Sequence, residues 1–173
     1  AAGFSLPETN RIDFTLVDRR QSVLYASTNT RVLEDYAHHP AEIRAFRKGL
    51  KEAYKGRNIV VFQPHRYSRT LRLKSELAKE LAEFDSVYLM DVYNASESPI
   101  DGGTGRDLLE CLSNKTGECQ YADSREDLLE ALELSVQGEE PVNIVFLGAG
   151  ETNVLAENFV ENLKVKDGLW GGF

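Results

Sequence analysis

Basic residues are in deficit in this 173-residue chain: 20 Lys and Arg stand against 28 Asp and Glu, a formal net charge of −8. A nucleic-acid surface needs clustered Lys and Arg in net excess, so none is expected. Cysteine is scarce. Cys111 and Cys119 lie eight apart and form no C-x-x-C pair, so a zinc or redox motif is not indicated. Two free thiols in a reducing cytosol is the default reading, with a disulfide as the alternative. No apolar run approaches the ~20 residues a membrane span needs, so no membrane partner is expected. The segment from Ala1 to Leu6 is short and lacks a basic start, so no signal peptide is expected and the cytoplasm is the expected location. Also missing are a Walker G-x-x-x-x-G-K-[ST] loop, a G-x-S-x-G nucleophile elbow, a G-x-G-x-x-G turn, internal repeats and low-complexity tracts.

What remains is the composition of one globular domain, with 42% apolar and 28% charged residues. Asp13–Val17, Ser22–Ala26 and Thr30–Leu33 read as short strands of an antiparallel meander. Pro40 suits a first helical position, and Ile43, Phe46, Leu50 and Tyr54 follow on one helical face that Gly56 is expected to end. Asn58–Phe62, Val87–Val92 and Asn143–Leu147 read as strands, the first and last of the type buried on both faces. Helices are expected over Ser68–Phe84, with Leu73, Leu77, Leu81 and Phe84 inward, over Thr104–Leu112, after Ser124, and near Thr152–Leu163. Thr104 with Asp107, and Ser124 with Asp127, have capping-box spacing. Strand and helix alternate from residue 30 onward. The expected fold is therefore α/β: a single Rossmann-like domain, its mostly parallel sheet flanked by helices and preceded by antiparallel strands. Trp170 and Phe173 belong to a Gly-rich tail that could dock on the body or on a neighbour.

Ligands of such sheets bind beyond the carboxyl ends of the strands. The segments there are rich in polar and aromatic residues: Glu34–Pro40, Gln63–Thr70, Tyr93–Ile100 and Gly148–Glu151. All three histidines, His38, His39 and His65, fall in two of them. They are either surface and core residues or parts of a site; adjacent histidines rarely share one ion, so no metal site is expected. His65-Arg66-x-x-Arg69 is sharper. Two guanidiniums at the positive end of a helix suit a carboxylate or phosphate, unless they are merely its solvated start. Asp35 could accept hydrogen bonds from a ribose, bind a cation, or simply end its strand. Gly148-Ala149-Gly150 reads more readily as a tight turn than as a dinucleotide site.

Four segments together resemble one family. Asp35-Tyr36-Ala37-His38-His39-Pro40-Ala41-Glu42-Ile43 is similar to the D-Y-[AG]-H-H-P-x-E-[IV] segment of Mur ligases acting on UDP-N-acetylmuramate. Phe62 to Thr70, reading F-Q-P-H-R-Y-S-R-T, resembles the matching segment of the L-alanine-adding branch, as do Asp91 to Ile100 and Gly148-Ala149-Gly150. The resemblance covers residues 10–165 and only the family's third, carboxyl-terminal domain; residues 1–9 match poorly, and 166–173 are expected to be a loose tail. It implies an ATP-dependent ligase that joins L-alanine to UDP-N-acetylmuramate through an acyl phosphate. Magnesium (Mg2+) would be bound mainly by a central domain, and N-terminal and central Mur ligase domains would be partners. By resemblance, His65, Arg66 and Arg69 fall on positions associated with the amino-acid or product carboxylate, with Tyr36 and His38 beside them. Asp35 falls on the acidic position near the nucleotide ribose, and Arg11 on the arginine facing the ATP γ-phosphate or acyl phosphate. This domain alone is expected to be inactive. Departures are Asn10-Arg11-Ile12 where Arg-Arg-Phe is usual, and Asn94 and Ser96 where proline and glycine are common. Rival readings are the tripeptide-recycling Mur ligase, whose second loop resembles E-P-R-S-N-T instead, and a non-catalytic module binding a nucleotide or wall precursor.

Overall fold

The computed structural model describes residues 21–113, 118–166 and 168. The expected strand Asp13–Val17, Arg11 and all of the tail except Lys166 and Gly168 lie outside them. Eleven elements follow in the order β1 (Ser22–Ala26), β2 (Thr30–Asp35), α1 (Pro40–Ala53), β3 (Arg57–Phe62), α2 (Tyr67–Leu81), β4 (Ser86–Leu89), α3 (Gly105–Ser113), β5 (Cys119–Tyr121), α4 (Arg125–Ser135), β6 (Val142–Leu147) and α5 (Thr152–Lys166). They build one six-stranded sheet in the order β1-β2-β6-β3-β4-β5. Only β1 is antiparallel; the other five run parallel.

Alternation along the strands divides the core. Leu33, Val60, Phe62, Val87, Leu89, Val145 and Leu147 meet Ile43, Phe46 and Leu50 of α1, Leu77 and Leu81 of α2, and Leu108 and Leu112 of α3. Their neighbours Val32, Ile59, Val61, Ile144 and Phe146 meet Leu128 and Leu132 of α4 and Leu155, Phe159 and Leu163 of α5. Every residue of β6 is buried, which explains why its apolar run does not alternate with polar residues. Phe146 and Phe159 pack with ring centroids 6.1 Å apart. The α/β architecture expected from the alternating elements is the one observed.

Several local expectations change. β5 went unread, because three residues at a sheet edge carry little periodicity. β4 stops at Leu89 rather than Val92: Met90 N–H still donates to the Phe62 carbonyl at 2.9 Å, but beyond it pairing with the neighbouring segment resumes only as an isolated parallel bridge between Tyr93 and His65. Helix α1 ends at Ala53, with Tyr54 extended at φ −134°, before Gly56 is reached. Gly56 serves the next strand instead: at φ +114°, any Cβ there would run into the Pro141 carbonyl. Both capping expectations hold. The Asp107 carboxylate accepts from Thr104 N–H at 2.8 Å, and Ser124 Oγ accepts from Asp127 N–H at 3.0 Å.

Candidate functional site

Because β2, β6, β3 and β4 are parallel neighbours, the segments after them open on one rim of the sheet. β2 and β3 are separated by β6, two strand spacings or roughly 10 Å. The turn between them is therefore small. Gly148 N–H donates to the Asp35 carbonyl at 3.2 Å, and Gln63 N–H donates to the Leu147 carbonyl at 3.1 Å. Gln63 reaches on to accept from Glu151 N–H at 2.7 Å, which anchors the start of α5. A Cβ on Gly150 would collide with the Gln63 amide and lie 2.9 Å from Tyr93 Cβ. The Gly-Ala-Gly sequence thus answers to the approach of Gln63 and Tyr93 and makes a tight turn.

Across this low turn the two histidine-bearing segments meet. The rings of His38 and His65 are 5.6 Å apart. Tyr36 meets His38 edge-on at 5.3 Å, and Tyr93 stacks on the other side of His65 at 5.6 Å and 14°. Four rings form a continuous wall, with Tyr36 and Tyr93 exposed at its ends. His38 Nδ1 lies 2.9 Å from the Tyr36 carbonyl; a carbonyl only accepts, so Nδ1 is the donor in this bond. His39 has a different task. It is the N-cap of α1, where its Nδ1 accepts from Ala41 N–H at 3.4 Å while Glu42 accepts from His38 and His39 N–H at 3.1 and 3.0 Å.

Burial holds His65 below the usual histidine range, and the charges of Arg69, His38 and Arg66 push the same way against the opposing pull of Glu97. His65 is therefore neutral near pH 7. Its Nδ1 is buried and has no hydrogen-bond partner, and the same is true of one terminal nitrogen of Arg69. Buried polar atoms in native proteins are nearly always paired, so these two orphans, four residues apart in sequence, make His65 and Arg69 candidates for hydrogen bonds to a group outside the chain.

Arg66 initiates α2 at φ +71°, a left-handed conformation unfavourable for a residue with a Cβ, and its side chain makes no capping bond. The helix start is capped from the segment after β4 instead: Glu97 accepts from Ser68 N–H at 3.0 Å and Ser68 Oγ–H at 2.7 Å, and faces Arg66 at 3.7 Å. The helix end that by sequence suits a carboxylate or phosphate thus has an anionic partner within the chain itself, Glu97. Neither Tyr93 nor Glu97 is among the residues expected from sequence to form the site; a ring and an acid in the segment after a strand are the signal that marks them.

Asp35 lies at the same rim but is turned to one side. Its oxygens accept from Ala37 N–H at 2.7 Å and Gln21 N–H at 2.8 Å, and it lines a cavity with Gln21, Tyr36, Ala37, Glu42, Ala45 and Phe46. Tyr36, His38, His65, Arg66 and Arg69 are gathered together; Arg11 lies outside the described residues. Among the described residues no group of three His, Cys, Asp or Glu side chains could hold a metal ion, and no helix is long and apolar enough to cross a membrane.

Comparison with known proteins identifies the family of the chain. The family model for the Mur ligase glutamate ligase domain matches residues 19–150. The UDP-N-acetylmuramate–L-alanine ligase of Koribacter versatilis is 37% identical over 155 residues, covering 89% of this chain and 33% of that protein. The chain thus spans about a third of the length of such relatives. Among solved structures, the UDP-N-acetylmuramate–alanine ligase of Thermotoga maritima superposes with a TM-score of 0.68 at 28% identity, over 86% of this chain and 30% of that one. A domain from a putative tripeptide ligase of Haemophilus ducreyi shares the fold, with a TM-score of 0.60 at 23% identity, covering 83% of this chain and 99% of that one. This chain belongs to the Mur ligase family and is its carboxyl-terminal, glutamate ligase domain.

Proposed function

We propose that the chain is the third domain of an ATP-dependent ligase that joins L-alanine to UDP-N-acetylmuramate, and that its rim is the half of the cleft that receives the amino acid. The observation that carries this reading is the pair of buried, unpartnered nitrogens on His65 and Arg69, next to His38 and Arg66. A guanidinium and a neutral imidazole can hold a carboxylate at two points, which leaves the amine of the amino acid free and oriented. Fixing the amine against an activated carboxyl converts a bimolecular attack into an intramolecular one. Tyr36 and His38 border the space in which a small side chain would lie.

Asp35 belongs on the nucleotide side of the cleft. Backbone N–H groups of Gln21 and Ala37 hold its carboxylate in place, and a carboxylate so placed is a suitable acceptor for ribose hydroxyls. Arg11 would face the phosphate that is transferred, where a guanidinium offsets developing charge. Magnesium would be held by the central domain, which would also supply the phosphate-binding loop that this chain lacks. Closure of the third domain over the other two would exclude water, which would otherwise hydrolyse an acyl phosphate. The domain by itself would then have no ligase activity. Residues 10–165 would form the domain proper, and 166–173 its tail.

The test is phosphate release by the full-length gene product, supplied with ATP and UDP-N-acetylmuramate and a panel of L-alanine, glycine, L-serine and the wall tripeptide. Release that depends on L-alanine supports the reading. Release with the tripeptide alone would assign the recycling reaction, and no release with any acceptor would leave a binding module.

A further inference from the structure

The start of α2 is electrostatically adverse by its own sequence. Its first turn has no acidic residue, its N-cap side chain makes no capping bond, and Arg66 and Arg69 add positive charge to the positive end of the helix. Arg66 is also held in a left-handed conformation. Something outside the helix must compensate, and the compensation comes from the segment after β4. The Tyr93 carbonyl accepts from Arg66 N–H at 2.9 Å, and the Tyr93 ring backs His65. Glu97 closes the arrangement with two bonds to Ser68 and its approach to Arg66. The Ser68 bonds hold the Glu97 carboxylate below its ordinary range, so it is ionised throughout the neutral pH region.

We propose that Glu97 is a positioning residue for the amino-acid site: by binding Ser68 and Arg66 it fixes the first turn of α2, and so aims Arg69 and His65 at the incoming carboxylate. It touches no substrate itself. Arg66 is correspondingly divided between Glu97 and the site, which leaves Arg69 as the principal guanidinium for the ligand. This inference rests on the ligase reading above. It adds a residue from a segment that the carboxylate-binding motif does not contain.

The experiment is steady-state kinetics of the full-length enzyme carrying Glu97→Ala, Glu97→Gln, Arg66→Ala and the double variant Glu97→Ala with Arg66→Ala. Glu97→Ala is expected to raise the KM for L-alanine by ~10-fold or more, as loss of a charge-assisted bond predicts, with the KM values for ATP and UDP-N-acetylmuramate within about twofold of wild type. Glu97→Gln keeps an acceptor for Ser68 and should fall between the two; it carries the test if the alanine variant does not fold. In the double variant the two effects should be less than additive, because Glu97 acts partly through Arg66. A KM for L-alanine unchanged in Glu97→Ala, or a parallel rise in all three KM values, overturns the proposal. Wild-type enzyme that releases no phosphate with any acceptor overturns the ligase reading instead, and the role of Glu97 in it.

Discussion

Ser96 shows how a single residue can carry strain that the sequence only hinted at. It stands where relatives were expected to have glycine, and it is exposed at φ +69° immediately after Ala95 at φ +48°. Asn94 supports the turn by accepting from Ser96 N–H at 3.2 Å. A left-handed residue with a Cβ costs about 1–2 kcal/mol, part of which glycine returns as chain entropy in the unfolded state. Ser96→Gly should therefore stabilise the domain by roughly 0.5–1 kcal/mol, read as a higher urea midpoint at unchanged slope. A lower midpoint would mean that the strain is matched by contacts of the serine. Other residue-scale features were less legible. The sequence suggested a carboxylate or phosphate at the start of α2, or a merely solvated start, but not that Glu97 would bind there, because a contact between residues 68 and 97 depends on which strands are neighbours. His39 read only as part of a histidine pair, yet its work is to cap α1.

At the scale of elements, helices α1 and α2 are joined by charge as well as by leucines. Glu80 is only 3% exposed, an unusual place for a carboxylate. It accepts from Arg44 Nε at 2.9 Å, and Arg47 lies 3.6 Å away. The Arg44 hydrogen bond outweighs burial and holds Glu80 below its ordinary value of 4.5. A carboxylate with a depressed folded-state pKa contributes stability that is complete above its unfolded value and is lost as pH falls through the folded one. Glu80→Ala should cost about 2 kcal/mol, less than the ~3–5 of a fully buried pair because Arg44 is largely exposed. Urea unfolding from pH 7 down to below pH 4.5 would show the gap between wild type and variant narrowing in acid. A constant gap would mean that packing, not charge, is what Glu80 supplies. Helical periodicity exposed the leucine faces of both helices. It could not expose Glu80, since a polar residue on an apolar stripe is recognised only once its partner on another helix is known. β5 was missed for a related reason: it is short, and its place beside β4 is decided by tertiary pairing.

For the whole molecule, the alternation of strands and helices was enough to give an α/β fold and to point to a candidate site at the carboxyl ends of the parallel strands. It did not give the strand order, because nothing local says that β6 inserts between β2 and β3. That insertion brings the turn after β6 between the two histidine segments, where its glycines make room for Gln63 and Tyr93, while His38 and His65 lie 5.6 Å apart. In the proposed function, the gathered wall of rings with Arg66 and Arg69 is one side of a cleft. Its other side would come from the remaining two-thirds of a Mur ligase. The KM for L-alanine of the full-length Arg69→Ala enzyme, compared with wild type at saturating ATP and UDP-N-acetylmuramate, tests this most directly. The account predicts a rise of ~10-fold or more, the loss expected for a charged hydrogen bond to the substrate carboxylate. An unchanged KM for L-alanine would contradict it.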